Sequence, residues 1–219
     1  AGNVLTRTDA KNQTTRYTYD VLNRLTSIVY HDNKTVNYDY DIGSNGKGRL
    51  SRIRDQDTSI IYTYDARGRI LSETRTITTN TVPAVGKTFV TSYQYDAYGR
   101  VSQLTYPNGL RLNYTRDSLG RITQIDSNKD GVAATILSQV VYRPFGGVQS
   151  YRNSAGQNYT RGFDLDGRIT SYTLNNQVQA IGYDAANRII SINQVNSSTQ
   201  QASYGYDNLD RLTSYLTPQ

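Results

Sequence analysis

A nine-residue motif recurs along this chain of 219 residues, and its periodicity limits the folds that the chain can adopt. The motif reads aromatic, any residue, Tyr, Asp, any two residues, Gly or Asn, Arg, aliphatic. Clear copies occupy residues 17–25, 38–50, 62–70, 93–101, 114–122, 161–169, 181–189 and 204–212, the second with four extra residues. A unit copied at a period of roughly 20 to 50 residues indicates a repeat architecture, in which each unit packs mainly on its neighbours.

One interval between copies is about twice as long as the others. Asp117 and Asp164 lie 47 residues apart, whereas the other steps between motif Asp residues are 20 to 31. Residues 142–148 fit a decayed copy in this gap. The chain opens with Gly2, Asn3 and Val4, which read as the tail of another unit. We therefore predict a single array over residues 1–219, of about eight or nine units, cut from a longer one.

The Asp of each copy is expected to begin a turn. Its carboxylate suits the first position of a type I turn, where it accepts a hydrogen bond from the N–H two residues on. The turn closes with a residue at positive φ, which Gly, Asn and Asp adopt cheaply. All nine closing residues are of these types: Asn23, Gly48, Gly68, Gly99, Gly120, Gly146, Gly167, Asn187 and Asp210. This arrangement predicts a three-residue β-hairpin loop with a bulge.

Strands are expected on both sides of each turn. Residues 14–19 and 25–30 are typical, because Tyr, Thr, Ile, Val and Leu favour strands. A second class of turn, which we call linking turns, joins one unit to the next at residues 9–13, 31–34, 107–109, 153–157 and 175–177. The predicted fold class is therefore all-β, a series of tandem antiparallel hairpins.

The tyrosines supply much of the apolar surface. Leu, Ile, Val and Phe total only 47 residues, whereas there are 20 Tyr. Side chains two apart in a strand share a face, so the Tyr pairs 17/19, 38/40, 62/64, 93/95 and 204/206 should each point one way. Neighbouring strands lie about 4.8 Å apart, which predicts aromatic ladders along the sheet.

The motif resembles the YD repeats of the Rhs family, bacterial relatives of the teneurin shell, over nearly the whole chain. The resemblance implies a continuous, curved, spiralling antiparallel sheet that forms part of a hollow shell. In bacterial members the shell commonly encloses a toxic C-terminal domain. Members often also have a segment that closes the shell and cuts itself at an Asp-Pro motif. No Asp-Pro pair occurs in this sequence, so neither closure nor self-cleavage is implied for it.

The side chains expected to hold the repeat together are the motif residues themselves. They are Tyr19, Asp20, Arg24, Tyr40, Asp41, Arg49, Tyr64, Asp65, Gly68, Arg69, Tyr95, Asp96, Gly99, Arg100, Asp117, Gly120, Arg121, Asp164, Gly167, Arg168, Tyr183, Asp184, Arg188, Tyr206, Asp207 and Arg211. The Arg residues are expected to pair with the turn Asp or to pack over Tyr faces. Because the repeat distributes them along the chain, the net charge of +6 does not predict a nucleic-acid groove.

Candidates for chemistry are few. His31 is the single histidine and lies in a linking turn, where a solvated side chain is expected. Asp126, Asn128 and Asp130, followed by Gly131, match the start of a calcium loop, although Leu137 replaces the bidentate Glu. Gly43, Gly46 and Gly48 lack the spacing of a phosphate loop. An Asp used identically in eight turns is better explained by the turn than by acid–base chemistry. We predict no catalytic site and no cofactor.

The predicted function is that of a non-catalytic wall segment of an Rhs-type shell, which encapsulates a C-terminal toxin for competition between bacteria. Its partners would be the rest of the shell and the toxin, and its location secreted or at the cell surface, both as the resemblance implies. One alternative is a surface adhesin that binds carbohydrate through exposed Tyr, beside variable loops such as residues 76–87. Another is a wall segment of an insecticidal toxin complex. The sequence contains no apolar run long enough to span a membrane.

Overall fold

The computed structural model describes residues 2–78, 86–144, 146–197 and 202–216, which form 19 strands and no helix. The chain divides into two compact units, Ala1–Leu112 and Asn113–Gln219. Each unit is described by itself, and the single array expected over residues 1–219 stays a prediction. No helix in the described ranges is long and apolar enough to cross a membrane.

The first unit contains the strands β1 (Thr6–Thr8), β2 (Thr14–Tyr19), β3 (Leu25–Val29), β4 (Thr35–Tyr40), β5 (Leu50–Arg54), β6 (Thr58–Tyr64), β7 (Ile70–Thr78), β8 (Gly86–Tyr95) and β9 (Val101–Thr105). The unit boundary falls within β10 (Arg111–Arg116). From β1 to β9 each strand pairs antiparallel with the next.

The second unit contains β11 (Ile122–Lys129), β12 (Val132–Tyr142), β13 (Val148–Asn153), β14 (Asn158–Phe163), β15 (Ile169–Leu174), β16 (Gln177–Tyr183), β17 (Ile189–Gln194), β18 (Ala202–Tyr206) and β19 (Leu212–Leu216). Consecutive strands from β11 to β19 again pair antiparallel. The all-β class and the tandem antiparallel hairpins expected from the sequence are therefore confirmed.

Each motif Asp begins a hairpin turn, and a bulge lies beside the turn. Thr18 pairs with Ser27 but Tyr19 pairs with Leu25, so one residue of β3 has no partner on β2. A register shift at the same place recurs before the later motif turns in both units. Eight of the nine predicted closing residues adopt positive φ. The ninth, Gly146, follows Phe145, which lies outside the described residues.

The linking turns form where the sequence places them. The N–H of Asn33 donates to the carbonyl of Tyr30 at 3.0 Å, and the N–H of Gly156 donates to that of Asn153 at 3.0 Å. Because strands alternate in direction, the motif turns lie at one end of the strands of each unit and the linking turns at the other.

Both ends of the expected variable loop, residues 76–87, are strand in the structure. Thr76 pairs with Thr88 and Thr78 pairs with Gly86, so β7 and β8 continue past the predicted loop ends. Thr and Ile on these positions favour strands, which explains the extension. The remaining residues, 79–85, lie outside the described residues.

The sheet of the first unit has two chemically different faces. The alternation of side chains along strands places Tyr17 on one face, opposite Ile28, and Tyr38 on the same face, opposite Ile53. On the other face the Thr18 hydroxyl lies 2.9 Å from that of Ser27. The Thr63 and Ser72 hydroxyls there are 2.6 Å apart. In these strands one face therefore carries Tyr and Ile, and the other carries paired hydroxyls and the ion pair of Asp39 with Arg52.

Neither unit has a conventional core. Among the described residues, only Gly46, Ser51 and Val140 are buried, and most strand residues are half-buried. Stability must therefore come from contacts between neighbouring strands, as in other arrays of repeats.

Candidate functional site

The motif turn is closed by its own carboxylate. In the first copy the N–H of Asn23 donates to the Asp20 carbonyl at 3.0 Å. Asp20 Oδ1 accepts from the N–H groups of Leu22 and Arg24, both at 2.9 Å, and Oδ2 accepts from Arg24 Nε at 2.7 Å. One carboxylate thus accepts hydrogen bonds from two backbone N–H groups and from the guanidinium of the Arg at the end of the turn.

The same three side-chain bonds recur in further copies. They are made by Asp65, Asp96, Asp117, Asp184 and Asp207. Asp164 accepts from both the backbone N–H and Nε of Arg168, at 2.9 and 2.6 Å. The turn chemistry is therefore a property of the motif and does not depend on one location.

The Arg of each turn also reaches the next repeat. The Arg24 guanidinium carbon lies 4.4 Å from the centre of the Tyr40 ring, and that of Arg69 lies 4.3 Å from the Tyr95 ring. The same contact occurs in the pairs Arg49–Tyr64, Arg121–Tyr142, Arg168–Tyr183 and Arg188–Tyr206, at 4.7 to 5.8 Å. These are cation–π distances.

The hydroxyl of the same Tyr donates a hydrogen bond to the preceding repeat. Tyr40 Oη donates to the carbonyl of Leu25 at 2.9 Å, and Tyr95 Oη donates to that of Ile70 at 2.7 Å. Equivalent bonds are made by Tyr64, Tyr142, Tyr183 and Tyr206. We call this set the clamp: the turn Asp and Arg of one repeat, and the Tyr that precedes the turn of the next.

The clamp replaces the aromatic ladder expected from the sequence. Clamp tyrosines lie on every second strand, so successive rings are about 9.6 Å apart. The guanidinium groups fill the intervening space. In the second unit Tyr151 and Tyr159 do stack on adjacent strands, with ring centres 4.8 Å apart. Stacked tyrosines are thus used locally, whereas the repeated contact pairs Tyr with Arg.

The electrostatics keep the turn carboxylates ionised. The pKa of Asp20 is lowered, first because the Arg24 N–H donates to it and then because the Arg24 side chain does, although partial burial opposes the shift. The pKa of Asp41 falls to about 2, chiefly through its bond with the Arg24 side chain and also through the Gly48 N–H. A carboxylate with a lowered pKa and several donors is poorly suited to general acid catalysis near neutral pH.

The second copy departs from the pattern because of its four extra residues. The Asp41 N–H still donates to the Arg49 carbonyl at 3.0 Å, but the Arg49 side chain turns away: its Nη1 donates to the carbonyls of Asn45 and Lys47, at 3.2 and 3.1 Å. Asp41 instead binds Arg24 of the preceding repeat, with Nη2 at 2.7 Å. The longer turn is held by the buried Ser51, whose hydroxyl accepts from the Ile42 N–H at 2.8 Å and donates to the Ile42 carbonyl at 3.0 Å. Nothing in the motif pointed to Ser51.

The decayed copy keeps part of the clamp. Tyr142 still donates to the Ile122 carbonyl at 2.7 Å. Arg143 occupies the Asp position, and its guanidinium carbon lies 4.1 Å from the Phe163 ring. Phe163 has no hydroxyl, so this junction lacks both the Asp–Arg pair and the Tyr hydrogen bond. In the fifth copy Arg116 replaces the Tyr, and Arg100 of the fourth lies over Tyr98 of its own turn at 4.9 Å.

The chain start also follows the clamp pattern. Tyr19 Oη donates to the Val4 carbonyl at 3.1 Å, which is the bond that Tyr40 makes with the Leu25 carbonyl. The amide of Asn3, at the Arg position, donates to Asn23 Oδ1 at 3.0 Å. Residues 2–4 therefore occupy the place of a repeat tail.

The calcium candidate lies in a hairpin. Asp126 and Asn128 belong to β11, and Asp130 forms a two-residue turn with Gly131, both at positive φ. The Asp126 carboxylate accepts from the Gln124 amide at 2.9 Å and from the Thr135 hydroxyl at 2.7 Å. Extended strands hold alternate side chains in a line, whereas a calcium loop makes them converge. The calcium site stays a prediction that this geometry disfavours.

The other candidates also lie in turns. His31 is exposed in a linking turn beside Asp32. Gly43 and Gly48, both at positive φ, shape the longer turn of the second copy. Within the described ranges, no group of three or more His, Cys, Asp or Glu is placed to hold a metal ion.

Comparison with known proteins gives one family and one fold. The family model described as RHS Repeat matches residues 1–36, 45–81, 77–111, 95–132 and 183–219. No curated protein matches the chain by sequence.

Among solved structures, the Photorhabdus luminescens Tc holotoxin pore is similar, with a TM-score of 0.73 and 15% identity over 98% of this chain. The TcdB2–TccC3–TEV and TcdB2–TccC3 structures give TM-scores of 0.73 and 0.66, each at 15% identity over 98% of this chain. This chain spans 13 to 14% of the length of those chains.

Proposed function

Because the chain belongs to the RHS-repeat family, we propose that it is a non-catalytic wall segment of a shell that encloses a toxic C-terminal domain until delivery. Membership confirms the resemblance inferred from the repeated motif. The rest of the parent protein would complete the wall, and the enclosed domain would be its cargo. The parent would act outside the producing cell, at its surface or after secretion.

The clamp is the observation that supports this proposal most directly. Its Asp, Arg and Tyr side chains are used to bind strand to strand and repeat to repeat. Repetition of these contacts along the chain is suited to a wall, which must remain continuous. The tyrosines of the clamp are half-buried and tied to neighbouring strands, which favours the shell over a Tyr-lined recognition surface.

The energetics of an array of repeats are compatible with sequestration. Each repeat is stabilised mainly by the repeats beside it, so opening one seam costs the contacts on that seam only. A wall with a clamp at each seam would stay closed to proteases under native conditions and would open at a seam whose contacts are weakened. This is the behaviour that a container for a harmful enzyme requires.

The route of delivery has two candidates. Competition between bacteria is the first. Delivery by a toxin complex is the second, and the fold similarity to the Tc holotoxin pore favours it. Both share the wall function proposed here and differ in the partners of the parent protein and in the target cell.

Carbohydrate binding is a separate candidate function, supported by one feature of the second unit. Tyr151 and Tyr159 stack beside an opening of about 260 Å³, which the exposed amides of Asn158, Asn175 and Asn176 also line. Aromatic faces and amides are groups that bind sugar rings and hydroxyls. Binding to a neutral glycan array, lost in Tyr159→Ala and retained in Tyr64→Ala, would favour this function; no binding would exclude it.

Protease protection of the parent protein tests the wall. The parent would be digested in its native state and in increasing urea, while mass spectrometry follows the C-terminal domain. We expect the domain to survive until the repeats unfold. A variant with Arg69→Gln and Arg188→Gln, which removes two clamps, should release it at lower urea.

The matched control is Arg211→Gln, since Arg211 bonds Asp207 at 2.7 Å but has no ring contact among the described residues. This change should leave the urea dependence unaltered. Cleavage of the C-terminal domain in the native parent, at the rate of the isolated domain, would refute encapsulation.

A further inference from the structure

The motif turn between β12 and β13 lacks the carboxylate that closes the other motif turns. Arg143 holds the Asp position, so the turn has no side-chain oxygen where Asp20 accepts two backbone N–H groups in the first copy. Its backbone bonds are also long. The Arg143 N–H donates to the Gly147 carbonyl at 3.2 Å and the Gly146 N–H to that of Arg143 at 3.5 Å, against 2.9 to 3.1 Å in the motif turns of normal length. This turn is therefore held more weakly than those turns.

The seam between β13 and β14 also lacks the Tyr of the clamp. At the next seam the Tyr183 hydroxyl donates to the Ile169 carbonyl at 2.9 Å. Phe163 holds the Tyr position in β14, and it has no hydroxyl to donate to Val148, the counterpart of Ile169. What remains is Arg143, whose guanidinium carbon lies 4.1 Å from the Phe163 ring centre and which donates to a carbonyl of the next turn at 3.4 Å.

Two other junctions between copies have lost one part of the clamp each and kept the other. Before the fifth copy Arg116 replaces the Tyr, but the turn pair of Asp96 and Arg100 remains, at 2.7 Å. After the second copy the Arg49 side chain has left its turn Asp, but the Tyr64 hydroxyl still donates to the preceding repeat at 2.6 Å. Within the described ranges, the β13–β14 seam is the junction between copies that has lost both parts.

The strand on the other side of β13 is strained. Among the described residues, Gln139 of β12 is the only one with positive φ, 53°, that is not Gly, Asn or Asp. This conformation is unfavourable for a residue with a longer side chain. A register shift between Ser138 and Val141 marks a bulge at the same place. Separation of β13 from β12 would release the strain, which lowers the cost of opening.

The linking-turn end of β13 is well held. Asn153 Oδ1 accepts from the N–H groups of Ala155 and Gln157, at 3.1 and 2.9 Å. Tyr151 of β13 stacks on Tyr159 of β14, with ring centres 4.8 Å apart. Opening of this seam should therefore begin at the motif-turn end of β13 and stop at the linking turn.

We infer that β13 is the strand at which the wall opens first. The inference rests on the proposed wall function and names the place where that function ends. In an array each repeat is held by its neighbours, so local opening occurs where the contacts between repeats are weakest. A seam that opens by itself would let an enclosed chain leave while the clamped strands stay paired.

Hydrogen exchange of the parent protein, followed by mass spectrometry, tests the seam. The amides of β13 should have protection factors about tenfold lower than those of β15, because two kinds of hydrogen bond are missing. Phe163→Tyr should raise protection of β13 about fivefold by supplying the hydroxyl. The matched control is Tyr183→Phe, which removes the same hydroxyl one seam later and should lower protection of β15 by the same factor. Equal protection of β13 and β15 would overturn the inference.

A repaired variant links the seam to release. Arg143→Asp, Gly147→Arg and Phe163→Tyr together restore the motif, and a Cβ at residue 147 meets nothing within 4 Å. In the protease experiment on the parent, this variant should release the C-terminal domain at higher urea than the unchanged protein. Release at the same urea, with β13 now protected, would show that the wall opens elsewhere and would overturn the inference. Cleavage of the domain in the native parent would instead refute encapsulation, and the exchange of β13 would still report on the seam.

Discussion

The sharpest test of the clamp removes the hydroxyl and the ring of one clamp Tyr in separate variants. Tyr95 Oη donates to the Ile70 carbonyl at 2.7 Å, and the Arg69 guanidinium carbon lies 4.3 Å from the ring centre. Arg69 Nη1 is buried without a hydrogen-bond partner, so contact of the guanidinium with the ring face offsets part of its loss of hydration. Tyr95→Phe removes the hydroxyl and keeps the ring, whereas Tyr95→Leu removes both.

The expected magnitudes follow from these contacts. Loss of the hydroxyl should lower the free energy of unfolding by about 1 kcal/mol. Loss of the ring should remove a further 0.5 to 1 kcal/mol, roughly, from the contact with Arg69. In a double-mutant cycle, Arg69→Gln should therefore couple with Tyr95→Leu by about 0.5 to 1 kcal/mol and show little coupling with Tyr95→Phe.

Urea unfolding followed by circular dichroism measures these differences. Repeat arrays can unfold in parts, so hydrogen exchange of β7 and β8 amides should locate the loss at this junction. Arg211→Gln is the control, because it breaks a similar bond to Asp207 and, in the described part of the chain, no ring contact. Independent effects of Arg69→Gln and Tyr95→Leu, with no coupling between them, would refute the proposed clamp.

Three further predictions concern the turns. Gly68→Ala should destabilise the chain by more than Gly109→Ala: both residues have positive φ, which costs an L-residue about 1 to 2 kcal/mol, but only at Gly68 does the new methyl meet a side chain, that of Arg49; equal unfolding midpoints would contradict this. Asp41 has a lowered pKa, so its contribution to stability is complete above pH 3.8 and is lost as the pH falls towards about 2; acid unfolding of Asp41→Asn should lack this component, and an unchanged pH profile would argue against it. Ser51→Ala should cost about 1 to 3 kcal/mol, because it removes both hydrogen bonds that the buried Ser51 hydroxyl makes with Ile42; a loss as small as that of Ser154→Ala, at an exposed turn residue, would show that water replaces the hydroxyl.

The hairpins could be predicted because their determinants are local. Asp20 and Asn23 lie within one turn, and the conformational preference of each residue type suffices to place the bulged loop. The strand-forming residues on either side then limit the fold to an antiparallel array. The family resemblance rests on the same local pattern, which is why a few recurring positions were enough to identify it.

The contacts between repeats could not be predicted from the sequence pattern, because the partners are distant in sequence. Tyr40 and Leu25 are 15 residues apart, and Tyr95 and Ile70 are 25 apart, yet both pairs form the same bond. The register and the bulge decide which carbonyl each hydroxyl reaches. The ladder of Tyr on Tyr was therefore wrong for the clamp positions, since strand order places an Arg between successive rings.

The sequence by itself determined the repeat, the turns, the strand class and the family, because these depend on residue preferences within a few positions. Only the tertiary structure decided that Arg24 serves both Asp20 and Asp41 and that Ser51 holds the longer turn. Those features depend on which strands are neighbours and on the register in which they pair. Side-chain partners in a sheet are set by register, and register is a property of the assembled strands.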